Sequence, residues 1–93
     1  MSIDTVWARI RESAGEQFYQ IRGKAFTYEV QGSSVKPEGV NQNIPRSHFE
    51  DALELVPLES TVPVQHLRGP SYIYAILMDQ RTRRSDEWGK NAE

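Results

Sequence analysis

Apolar residues recur at Ile3, Val6, Trp7, Ile10 and Ala14, and Arg9, Arg11 and Glu12 fall between them. That spacing predicts an amphipathic helix at the start of the chain. Ser2 stands where a side chain caps such a helix, and Asp4 suits its positive end. Gly15 marks its end, since helices often close on a residue with positive φ.

The pattern then changes to alternation. If Gly23-Lys24 forms a two-residue turn, Ile21 lies opposite Phe26 and Tyr19 opposite Tyr28. Tyr19, Ile21, Phe26, Tyr28 and Val30 then share one face, and Gln20, Arg22, Thr27, Glu29 and Gln31 share the other. Phe18 falls on the polar face of this register. A second turn at Gly32-Ser33 places Gln31 opposite Ser34 and Val30 opposite Val35, and Pro37 ends the third strand early. Residues 38–43 carry no periodic signal and read as a loop.

A second helix starts near Pro45, with Ser47 and Glu50 spaced as a capping box. Phe49, Ala52, Leu53 and Val56 form its buried stripe, Glu50, Asp51 and Glu54 its acidic face, and Pro57 stops it. A short helix fits between Leu58 and Arg68, capped by Ser60 or Thr61 with Pro63 in its first turn. Residues 72–78 are seven apolar residues in a row. Pro70 and Ser71 upstream, with Ala75, Leu77 and Met78 within, favour helix over strand.

The fold expected from this order is α+β: a small three-stranded antiparallel sheet with helices packed on one face. Its core comprises Val6, Trp7, Ile10, Tyr19, Ile21, Phe26, Tyr28, Val30, Phe49, Leu53, Val56, Ile73, Ile76 and Leu77. Residues 1–81 form one globular domain, and residues 82–93 a polar, flexible tail. The chain has 93 residues, which suits a single domain with one modest core. No apolar run is long enough to span a membrane. No signal segment opens the chain, so the expected location is the cytoplasm. The chain has no cysteine, which excludes disulfides and thiolate chemistry.

The formal net charge is −2. Residues 1–45 are balanced. Residues 46–66 carry Arg46 against Glu50, Asp51, Glu54 and Glu59; residues 67–84 carry Arg68, Arg81, Arg83 and Arg84 against Asp79. An acidic stretch followed by a basic one either pairs within the fold or faces different partners.

Little here is built for catalysis. His48 and His66 are the only histidines, and their spacing matches no zinc motif. No carboxylate pair stands out, and the single glycines of Arg22-Gly23-Lys24 and Gly69-Pro70-Ser71 are turn residues, not phosphate loops. The expectation is a non-enzymatic binding module, an adaptor or accessory protein without cofactor or metal, that contacts another protein or a second copy of itself. Phe18 on the polar face, Tyr72, Tyr74 and Trp88 are its candidate contact residues, because Tyr and Trp anchor interfaces. The alternative is nucleic-acid binding, with Arg22 and Lys24 at the hairpin tip, Lys36 nearby, and Arg81, Arg83 and Arg84 neutralising phosphates. Through residue 56 the order of elements is similar to that of double-stranded RNA-binding domains. Those domains carry lysines at the start of the second helix, where this chain has Arg46-Ser47-His48, so the likeness is one of order only.

Overall fold

The Ser2 hydroxyl accepts a hydrogen bond from the Thr5 amide at 3.4 Å and opens helix α1, Ile3–Glu12. Val6, Trp7 and Ile10 are its buried stripe. The computed structural model describes residues 2–84; residues 85–93, Trp88 among them, lie outside the described residues. Past α1 the Gly15 amide donates to the Tyr28 carbonyl at 2.9 Å, which leads the chain into the first hairpin.

That hairpin joins β1, Phe18–Tyr19, to β2, Ala25–Phe26, in a register three residues away from the expected one. Phe18 lies opposite Phe26 and Tyr19 opposite Ala25. The turn is wider than two residues: the Gly23 amide donates to the Gln20 carbonyl at 2.7 Å and the Gln20 amide to the Lys24 carbonyl at 2.9 Å. An odd slip exchanges the two faces of a strand. Phe18 is therefore fully buried, while Tyr19 is 59% and Ile21 46% exposed, so these two leave the expected core. The physical reason is aromatic packing. Phe18 sits 6.0 Å from Phe26 and 5.3 Å from Tyr28, ring centre to ring centre. Such pairs add to the gain from burial.

Residues 25–31 continue as one extended segment interrupted at Thr27. Before Thr27 the segment pairs with β1. After it, β3, Tyr28–Gln31, pairs with β4, Ser34–Pro37. Here the expected register holds, with Val30 opposite Val35 and Gln31 opposite Ser34. A short strand that the sequence pattern did not indicate, β5, Ile44–Pro45, returns to pair with β4. The architecture is α+β, but its three-stranded antiparallel sheet is β3-β4-β5, and β1-β2 form a separate two-stranded sheet. With these strands before the second helix, the likeness in order to double-stranded RNA-binding domains does not hold.

Helix α2, Arg46–Leu53, begins directly after β5. Ser47 lies inside it, so the capping box does not form; the Arg46 amide is satisfied instead by the Ser33 carbonyl at 2.8 Å. Phe49 and Ala52 are buried, and Glu50, Asp51 and Glu54 face solvent. A 3-10 turn, Val62–Val64, precedes α3, Pro70–Leu77. The apolar run is thus helical as expected, with Ile73, Ala75, Ile76 and Leu77 buried. Gly69, just before α3, is buried with φ +62°. A Cβ there would stand 2.7 Å from Ile44 Cδ1, too close for any neighbour to remain in place.

Helix α4, Gln80–Arg83, is capped by the Asp79 carboxylate, which accepts from the Arg81 amide. Thr82 is fully buried, and its carbonyl accepts from Arg9 Nη1 of α1 at 3.0 Å. The expected boundary after residue 81 therefore falls inside a packed helix. The core runs between the helices and the sheets. Tyr28 donates its hydroxyl proton to the Ile10 carbonyl at 2.7 Å, and Trp7 meets Phe49 edge-on at 5.9 Å. Burial pushes the Tyr28 phenol well above its ordinary range. Ile44, Leu58, Val64 and Leu67 complete the core from segments that carry no periodic signal.

Candidate functional site

Of the cations expected to meet phosphate, Arg81 is the most committed to the fold. Its guanidinium makes two bonds to Asp79, at 2.8 and 2.9 Å, one to Glu16 at 3.0 Å and one to the Gln17 carbonyl at 2.9 Å. It also lies 3.7 Å from the centre of the Phe18 ring. Hydrogen bonds from Arg81 hold the Asp79 carboxyl below the usual carboxylate range, against the opposing effect of burial. The same bonds to Asp79 raise the Arg81 value further.

Arg84 pairs with Glu12 at 3.1 Å, and Arg83 is half-buried with its Nε unpartnered among the described residues. Arg22 and Lys24 are exposed in the loop after β1, and Lys36 is half-buried on β4. Arg81 engages the residues before β1, whereas Arg22 and Lys24 follow it. Arg81 is thus held by ion pairs within the fold, and among the described residues Arg22 and Lys24 are not.

The candidate protein-contact residues divide as well. Phe18 is core, not surface. Tyr74 is half-buried against the core. Tyr72 is half-buried, meeting Phe26 edge-on at 4.9 Å between ring centres. Trp88 lies outside the described residues. His48 Nδ1 accepts from the Arg68 amide at 3.0 Å, and His66 is exposed. Among the described residues no three His, Cys, Asp or Glu side chains gather as a metal would require. No described helix is long and apolar enough to cross a membrane.

What the fold does build is a groove of about 450 Å³. β2 and its bend supply Ala25, Phe26 and Thr27; the turn after β4 supplies Glu38, Gly39 and Val40; Tyr72 reaches it from α3, and Gln17, Gln20 and Lys24 complete its lining. The Glu38 amide donates to the Thr27 carbonyl at 2.9 Å, tying the two main segments together. Gly39, at φ +80°, then turns the chain away in a conformation that glycine adopts without strain. Tyr19 stands beside the groove: its hydroxyl accepts from Gln17 Nε2 at 2.7 Å.

Of the candidate residues, the structure brings Lys24 and Tyr72 into this one lining, a union of two segments that neither announces locally. Sequence reasoning missed Glu38, Gly39 and Val40. The signal that was present is the Pro37-Glu38-Gly39 run, which is turn chemistry directly after a strand. Family models, curated proteins and solved structures were compared with the chain, and none matches it.

Proposed function

We propose that the protein is a non-enzymatic binding module, an adaptor or accessory protein, whose recognition surface is the groove between β2 and the turn at Gly39. One observation carries this reading. A cavity of about 450 Å³ sets Phe26, Tyr72 and Val40 beside polar groups such as Lys24 and Glu38; of its lining residues, Gln17 bonds the hydroxyl of the exposed Tyr19 and Gln20 precedes the exposed Ile21 in the chain. Volume and mixed lining are those of recognition sites. Nucleic acid is the weaker alternative, because Arg81 and Arg84 are spent on Asp79, Glu16 and Glu12. Of the candidate cations, Arg22, Lys24, Lys36 and Arg83 are then left for phosphates. A cytoplasmic location remains part of this proposal.

A photocrosslinking side chain placed at Ile21, and separately at Glu50 on the outer face of α2, tests the reading in the source cell. Discrete protein adducts from position 21, absent from position 50, are expected. Adducts equal at both positions, none at position 21, or adducts to nucleic acid would overturn it.

A further inference from the structure

Resting on the reading of the groove as the recognition surface, we infer that it receives an extended peptide segment of a partner protein, laid along β2 as an added strand. The backbone supports this directly. The Gln20 amide bonds the Lys24 carbonyl, so the next facing pair, Tyr19 and Ala25, is the one that exchanges no hydrogen bonds. The N–H and C=O of Ala25 therefore point away from β1. Thr27, two residues on, points the same way, and its carbonyl is taken by the Glu38 amide at the end of β4. One edge of residues 25–31 is thus occupied by β4 from Thr27 onward and open at Ala25. Gly39 turns the chain out of this lane, and the groove is the space it leaves.

The lining also states what side chains fit. Lys24 and Glu38 form no ion pair among the described residues. Phe26, Tyr72 and Val40 offer apolar surface near them. An added strand presents alternate side chains to one face. The matching segment therefore carries an acidic residue for Lys24 and a large apolar residue two positions away for Tyr72 and Phe26. A phosphate backbone fits less well, because Glu38 shares the lining with the one lysine.

A displayed library of random octapeptides, panned on the wild-type protein and on Lys24→Glu, provides the probe. Lys24 is exposed, so the substitution leaves the fold intact. The expected consensus on wild type is Asp or Glu two positions from a large apolar residue, and on Lys24→Glu the acidic position turns to Lys or Arg. With the best peptide bound, hydrogen exchange at the Ala25 amide should slow by at least about tenfold. N-methylation of the peptide at the one position whose N–H meets the Ala25 carbonyl should weaken binding by about tenfold, and the neighbouring positions should tolerate it. Peptides that shift groove resonances yet tolerate N-methylation throughout, or an unchanged Ala25 amide, would refute strand addition and leave the binding module standing. No enrichment on wild type, or shifts confined to surfaces away from the groove, would refute both.

Discussion

Removing the Arg81 guanidinium strips Asp79 and Glu16 of their partner, frees the Gln17 carbonyl and bares one face of Phe18. Each contact alone is modest, because the side chain is about one-third exposed and solvent screens it. Together they tie α4 to the entrance of the first hairpin. Arg81→Ala should lower unfolding free energy by about 2 kcal/mol in urea titration. Arg81→Lys should recover less than half of that, since one ammonium cannot engage both Asp79 oxygens and stack on the ring. Equal stability of Lys and wild type would show that charge alone matters here. Counting basic residues in the sequence marked Arg81 as a phosphate contact. Its acceptors Glu16 and Gln17 are more than sixty positions away, and no local pattern announces such a pairing.

At the scale of elements, the two hairpins show what alternation can and cannot decide. Gly32-Ser33 leaves one register that aligns Val30 with Val35, and that register forms. In the first hairpin, counting apolar side chains favours the face with Tyr19 and Ile21 over the one with Phe18. The structure reverses this because Phe18 completes a cluster with Tyr28 and receives Arg81 on its ring. Phe18→Ala should therefore cost about 3–4 kcal/mol, and Tyr19→Ala or Ile21→Ala each less than about 1 kcal/mol. Chemical denaturation of the three variants distinguishes them, and an Ile21 penalty matching that of Phe18 would restore the expected register. β5 was illegible for a simpler reason: two residues, Ile44–Pro45, are too few to display a period. The groove was illegible because it is a lane between segments, defined by where the chain turns away at Gly39.

Over the whole molecule, the charge blocks resolve into long-range pairs. The basic stretch does not answer the acidic face of α2; Arg81 and Arg84 reach back to Glu16 and Glu12, and Arg46 to Asp4. Two buried-side groups then set how stability responds to pH. Asp79 titrates lower in the fold than in the unfolded chain, so its contribution is present above about pH 4 and is lost as pH falls through the folded value. Tyr28 titrates higher in the fold, so above about pH 10 the unfolded chain ionises first and stability declines. A plateau between these limits is expected in thermal unfolding followed across pH. Arg81→Ala should shallow the acid limb and Tyr28→Phe the alkaline one. Limbs unchanged by these substitutions would assign the pH response to other groups.

Ile44 at the sheet edge and Tyr72 at the groove both rest against the empty side of Gly69. A side chain at position 69 therefore needs both a positive φ and a shift of Ile44, and it touches two parts of the molecule with different duties. In a saturation library selected for folding, it should return glycine almost alone. Gly23 and Gly39, whose missing side chains face open space, should admit Asn and Asp. Drift in the groove's sequence can proceed around that site more readily than through it.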